Sequence, residues 1–240
     1  MLSDATILDI SSWDGTISPS EFIAAAHAFA EKWKLRCRGL PIWSWICCRK
    51  TPFISSHEVD GYLSLEKLCI LRSDKMEDHG IDDAGKEGLN CSENEECTDS
   101  AVLVHESCLE VHYYDLHVVY SSSYRVPVIY FRGYRSDGQP LVMDDIEKDI
   151  PANSAKVLME SKWTFMTEQE HPYLKWPWYT LHPCGTNEFM RLLFLIDVSL
   201  LEDRVAAEQY LTSWLSVVGQ VAGLKVPLQM VDSTPPLTTS

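Results

Sequence analysis

WYTLHPCGTNEFMRLLFLID, running from Trp178 to Asp197, is the stretch around which the chain is organised. Its first residues, Trp178 to Leu181, are aromatic and β-prone, whereas Phe189, Leu193, Ile196 and Leu200 recur at spacings of four, three and four, the stripe of an amphipathic helix. Cys184 therefore falls at a strand-to-helix junction. Gly185 frees the backbone there and Thr186 can cap the helix, so unpaired helix-start amides and the positive end of the dipole lie near the sulfur. That setting favours the thiolate, the nucleophilic form of the residue. A lone cysteine is more often a small buried hydrophobe, so it is the junction that marks Cys184 as the candidate catalytic residue.

Upstream of it, Tyr114, Leu116, Val118 and Tyr120 share one face of a half-buried strand, with Asp115 and His117 on the other. Ser121 to Ser123 forms a turn, and Val126 to Tyr134 follows as the central strand of an antiparallel meander, apolar on both faces and closed by Ser136, Asp137 and Gly138. Nearer the start, Ser18, Pro19, Ser20 and Glu21 make a capping box with proline at the first helical position, and Phe22, Ala26, Phe29 and Trp33 give a helix over Pro19 to Leu35. Ile42 to Ile46 reads as a first strand, Tyr62 to Leu71 as a second with a less regular pattern, and Trp163 to Met166 as a short later one. Asp144, Asp145, Glu147 and Asp149 fall on a loop or short helix. Val205 to Gly223, with Ala207, Leu211, Trp214, Val218 and Val221 on one side, is a second amphipathic helix expected to pack on the sheet. The order predicts an α+β layer fold in one domain over 18–226, with an N-terminal tail at 1–17 and a flexible C-terminal tail at 227–240.

The net charge of −15 argues against binding a nucleic-acid backbone or anionic lipid, since both need clustered Lys and Arg. More than half of it lies in Ser73 to Ser100, where ten carboxylates face only Lys75 and Lys86, a balance of −8. This insertion is too poor in aliphatic residues to offset its ordering entropy and is expected to be mobile, with a docking role for a basic protein surface as one reading. The eight cysteines lack a regular spacing, the start carries no secretory signal and no apolar run approaches membrane length, which points to a reduced, cytoplasmic setting without stable membrane insertion. No metal site is expected: there is no Cys-x-x-Cys pair, and His112 and His117, five apart on a strand, point to opposite faces. Phosphate-cradling glycine loops are lacking as well.

A papain-like thiol hydrolase would need a separate histidine base beside Cys184. His182 is close in sequence, but Pro183 restricts it, so the pair reads as a rigid positioning device.

Three separated stretches carry a resemblance: Leu181 to Thr186 around the His-Pro-Cys, Tyr130 to Tyr134 followed by Asp137 to Leu141, and Trp214 to Val221. Together they resemble the autophagy E2-like conjugating enzymes, from the helix ending Glu31, Lys32 and Trp33 to Pro227. The resemblance implies an E2-like (UBC-like) fold. In it Cys184 takes a ubiquitin-like modifier, autophagy-related protein twelve, from an E1-like activating enzyme, autophagy-related protein seven, and passes it to a lysine of the acceptor, autophagy-related protein five. His182, Pro183 and Gly185 would position the cysteine, and no cofactor is needed in the E2 itself, because a thiolate is both nucleophile and leaving group. One departure stands out. Ubiquitin E2 enzymes carry an upstream His-Pro-Asn, whereas here His171 and Pro172 are followed by Tyr173. Thr180, Thr186, Asn187 or backbone amides after Cys184 are left as oxyanion donors. Other readings are a non-catalytic adaptor on the same fold, a cysteine hydrolase, and a sister enzyme that conjugates a modifier to lipid. An adaptor would bury Cys184 or tolerate its loss.

Overall fold

The computed structural model describes residues 13–48, 59–72, 110–150, 166–196 and 207–231. The acidic insertion at 73–100 lies outside the described residues, as do 1–12, 232–240 and most of the strand expected at Trp163 to Met166.

Ser18 Oγ accepts the Glu21 N–H while the Glu21 carboxylate accepts the Ser18 N–H, and this reciprocal cap starts helix α1, Pro19–Arg36. Its buried face is Phe22, Ala25, Ala26, Phe29 and Trp33. Strands β1 (Ser44–Cys47), β2 (Gly61–Arg72), β3 (Glu110–Ser121), β4 (Val126–Arg135), β5 (Met166–Glu170) and β6 (Pro177–Leu181) form one antiparallel sheet in the order β1-β2-β3-β4-β6-β5. The irregular pattern of β2 has a cause. Its register with β3 shifts between Leu65 and Leu68, and Lys67, at φ +57°, donates its N–H to Asp115 Oδ1 at 3.0 Å. Asp115 also accepts from Arg132 Nε at 2.9 Å and from the Tyr134 hydroxyl at 3.2 Å, so one buried carboxylate joins β2, β3 and β4.

Helix α2, Met143–Asp149, is held to the inner face, where Asp149 Oδ2 accepts the Tyr114 hydroxyl at 2.5 Å and lies 2.6 Å from His112 Nδ1. His117 packs on the opposite face against Trp178, as strand alternation requires.

Helices α3 (Thr186–Ile196) and α4 (Ala207–Val218) complete the inner layer. The buried seam of α3 runs through Met190 and Phe194, with Phe189 and Leu193 half-buried beside it, one position away from the expected stripe. Hydrophobic spacing marks an apolar face about a third of the helix wide, and the neighbours decide which residues of that face sit deepest. Helix α4 lies along α1, with Tyr210, Leu211, Trp214 and Leu215 joining the core that α1 and the sheet share. It ends through a 3-10 turn at Gly223, which at φ +69° faces Ile70 so closely that a Cβ would stand 2.0 Å from its Cδ1.

Both expected tails begin in the wrong place. Trp13 and Ile17 are buried, so residues 13–17 belong to the core and not to an N-terminal tail. Met230 is fully buried in a further 3-10 turn, Leu228–Met230, which carries the fold past residue 227. The few apolar residues in each segment are short of a full period, so no pattern announces their burial.

The outer face of the sheet has its own buried cluster of Tyr62, Val119, Val128, Tyr130 and Trp178. Two imidazoles lie within it. His171 Nδ1 accepts the backbone N–H groups of Tyr173 (3.3 Å) and Leu174 (3.2 Å), so its proton is on Nε2, which donates to His117 Nδ1 at 3.0 Å. The His117 proton is then on Nε2. Burial, reinforced by the neighbouring His171 and Arg132, pushes His117 down to about 3, and burial with nearby Lys175 pushes His171 down to about 4.

Two stability predictions follow from these cores. Trp214→Ala should cost about 3–5 kcal/mol in denaturant unfolding. Trp214→Phe should cost less, because the buried indole N–H has no hydrogen-bond partner to lose. Below the ordinary histidine value of 6.5 the unfolded chain binds protons that the folded His117 and His171 refuse, so stability is present above that pH and is lost as the pH falls towards 4 and 3. The two groups together should remove roughly 2 kcal/mol between pH 7 and 5.5. His117→Gln should halve that slope in equilibrium unfolding at a series of pH values.

Candidate active site

Tyr130 pairs with Thr180 and Phe131 with Tyr179, which sets β6 beside β4 and delivers its C-terminal end to the rim of the sheet. The chain leaves Leu181 through a 3-10 turn, Pro183–Gly185, and enters α3 without a break. Cys184 sits in that turn and is exposed. Pro183 occupies the first position, where its fixed φ fits and its missing N–H is not needed. His182 is the cap of the turn, its Nδ1 accepting the Cys184 N–H at 3.3 Å. The imidazole thereby contacts the backbone of the cysteine.

Two expectations about this turn are corrected. Thr186 is not a cap: it is the first residue of α3, in helical conformation, with its N–H donated to Pro183 O. The capping passes to His182 because the turn begins three residues earlier than the α-helix. Gly185 takes the φ of the 3-10 turn and not a left-handed one, so the backbone there does not require glycine.

With Nδ1 accepting, the neutral His182 carries its proton on Nε2, which faces the Tyr124 hydroxyl at 3.5 Å. The two rings meet edge to face with centroids 5.5 Å apart. Tyr124 comes from the tip of the β3–β4 hairpin and was missed in the sequence, where it is one aromatic residue after three serines. The signal was there: a large aromatic side chain in an exposed turn has little to pack on locally. Beside the motif lies a cavity of about 390 Å³, lined by Tyr120, Tyr124, Tyr130, Gln169, Pro172 and His182 among others.

The other donor candidates fare differently. Thr180 is buried and gives its hydroxyl proton to Ile129 O at 2.7 Å, which removes it from the list. Thr186 is buried, and Asn187 is half-buried in the first turn of α3. His171 is fully buried and engaged with His117, so the upstream His-Pro closes a structural loop while Pro172 reaches the cavity rim. The remaining described histidines, His27 against Trp45 and His112 against Asp149, are occupied elsewhere. None of the described histidines is placed as a base on the sulfur in the way a thiol hydrolase requires.

Exposure alone does not single out Cys184, since Cys47 and Cys69 are also exposed, but those two lie on strands. Among the described residues no group of His, Cys, Asp and Glu could hold a metal ion, and no helix is long and apolar enough to cross a membrane.

Comparison with known proteins matches residues 21–229 to the family of the autophagocytosis-associated protein, active-site domain. The ubiquitin-like-conjugating enzyme ATG10 of Arabidopsis thaliana is 47% identical over 219 residues, covering 91% of this chain and 96% of that protein. The human protein of the same name is 38% identical over 180 residues, covering 73% and 79%. A crystal structure of the autophagic E2 Atg10 aligns over 85% of this chain and 94% of its own, at 15% identity and a TM-score of 0.39. An exposed cysteine held by a His-Pro turn at the end of a sheet strand thus lies inside a matched active-site domain, and the chain belongs to the autophagocytosis-associated family of E2-like, ubiquitin-like-conjugating enzymes.

Proposed function

We propose that Cys184 is the residue that carries the modifier. The observation that supports this most directly is its place: exposed, in a turn whose geometry His182 and Pro183 set, at the start of α3. The Cys184 thiolate attacks the thioester carbonyl that joins the C-terminal glycine of the modifier to the E1-like enzyme. A new S–C bond forms and the E1 thiolate leaves. A lysine amine of the acceptor then attacks the same carbonyl, the C–N bond forms, the C–S bond breaks, Cys184 leaves as thiolate and the amine proton passes to solvent. In this reading the modifier is autophagy-related protein twelve, the E1-like enzyme autophagy-related protein seven and the acceptor autophagy-related protein five. A cytoplasmic setting suits this chemistry, and the five described cysteines are all free thiols.

Both acyl transfers put negative charge on the carbonyl oxygen, which calls for a hydrogen-bond donor. The asparagine of ubiquitin E2 enzymes has no counterpart after Pro172. Among the described residues Tyr124 has a hydroxyl in contact with His182, and with His182 Nε2–H directed at its oxygen, its own proton is left to donate. We assign Tyr124 the donor role.

Cys184→Ala should abolish both charging and transfer with the fold intact. Cys184→Ser should accumulate an ester that resists thiol reductants, since the alkoxide is a poorer leaving group. Gels with and without reductant, after incubation with E1, modifier and ATP, read both outcomes; product from Cys184→Ala at the wild-type rate would end this assignment. Tyr124→Phe keeps the ring contact and removes the donor, so it should slow transfer from the preformed thioester by about 10²-fold. Retention of the wild-type transfer rate would return the donor role to the backbone amides.

A further inference from the structure

The segment 13–17, placed in a tail by the sequence, reaches both the hairpin that bears Tyr124 and the helix that follows Cys184. Ile17 donates its N–H to Arg125 O at 2.9 Å, and its own carbonyl accepts the Tyr120 hydroxyl at 2.8 Å. Asp14 pairs through Oδ2 with the Arg125 guanidinium, while Oδ1 accepts the N–H and hydroxyl of Thr16 at 3.1 and 2.5 Å. Arg125 is the neighbour of Tyr124 and stands at φ +56°, uncommon for a residue with a side chain, with its N–H given to Ser121 O at 2.7 Å. On the other side, Gly15, at φ +82°, lies so close to α3 that a Cβ would stand 1.8 Å from the carbonyl oxygen of Asn187, three residues after Cys184. Its own carbonyl accepts the Tyr210 hydroxyl at 3.1 Å. Trp13 closes the segment by packing edge-on against Phe194 of α3 and Tyr210 of α4, with centroids 5.5 and 5.9 Å away.

One short strap therefore spans from the hairpin tip that bears Tyr124 to the first turn of the helix that follows Cys184. We propose that residues 13–17 are a positioning strap for the reaction, and that Asp14 and Arg125 are positioning residues that fix the Tyr124 hydroxyl relative to the Cys184 sulfur. The inference rests on the assignment of Cys184 as the carrier and Tyr124 as the donor. The exposure of the pair separates this role from a purely structural one: Asp14 and Arg125 are 51% and 59% exposed, and surface ion pairs add little to stability. Their removal should leave the melting temperature almost unchanged while letting the hairpin tip drift. A displacement of about 1 Å in a reacting constellation can cost up to 10²-fold in rate.

The test uses the full chain, charged with modifier by the E1-like enzyme and ATP and then discharged onto free lysine. Asp14→Ala and Arg125→Ala should still form the thioester, melt within about 3 °C of the wild type, and discharge about tenfold more slowly. The loss should fall on kcat for lysine and not on KM, because the strap does not touch the incoming amine. Arg125→Lys, which keeps the charge, should recover most of the rate. Because both residues act through Tyr124, Arg125→Ala combined with Tyr124→Phe should be no slower than Tyr124→Phe alone. Wild-type discharge by the single variants, losses that multiply in the double variant, or a slowdown matched by a lower melting temperature would each overturn the strap. A wild-type chain that forms no reductant-sensitive adduct, or a charged Cys184→Ala, would instead overturn the assignment of the cysteine, a result that neither Asp14 nor Arg125 can produce.

Discussion

The antiparallel ladder between β3 and β4, unbroken from His112 opposite Arg135 to Ser121 opposite Val126, is the constraint on which the other elements depend. Both strands are buried on both faces over most of their length, so a slip of one residue would exchange the inner and outer sets of side chains. The inner set, Tyr114, Leu116, Val118 and Tyr120 with Ile129 and Phe131, receives α1, α3 and α4. The outer set positions His117 and Tyr130 for the loop that carries His171. At one end the ladder anchors α2 through Asp149, and at the other it projects the tip that carries Tyr124 and Arg125 towards β6.

The two faces solve the burial problem with different chemistry. Inside, aromatic and aliphatic groups dominate, and the polar tips of Tyr120 and Tyr210 reach the carbonyls of Ile17 and Gly15. Outside, two neutral imidazoles stack among Tyr62, Tyr130 and Trp178, and the hydrogen bond between them satisfies one nitrogen of each. Arg132 caps the same face, its guanidinium 4.6 Å from the centroid of the Trp176 ring and paired with Asp115. This arrangement holds the His-Pro loop in place through side chains of four strands, and with it the wall of the cavity beside Cys184.

His171 and Pro172 are followed by Tyr173, and the side chain that meets the His-Pro-Cys turn in the fold is Tyr124. His182 makes contact on both ring nitrogens: one accepts from the cysteine backbone and the other meets the tyrosine hydroxyl. A proline between histidine and cysteine restricts the backbone that carries both contacts.

Local physics was legible in the chain itself. The capping box at Ser18 to Glu21, the strand through Val111 to Tyr120, the doubly apolar Val126 to Tyr134 and the junction at Cys184 each depend on residues a few positions apart and form where the spacing puts them, although the strand expected to be half-buried buries Asp115 and His117 on its second face as well. What only the tertiary structure decided is which buried faces meet. Tyr124 finds His182 across 58 residues, Lys67 finds Asp115 across 48, and Tyr210 finds Gly15 across 195. Periodicity says that a face is buried without naming its partner, which is why the seam of α3 fell on Met190 and Phe194 instead of Phe189 and Leu193. Segments shorter than a period say even less: Trp13 to Ile17 carries only two large apolar residues, and its burial depends on a glycine without a Cβ passing close to a helix that lies far along the chain, at Asn187.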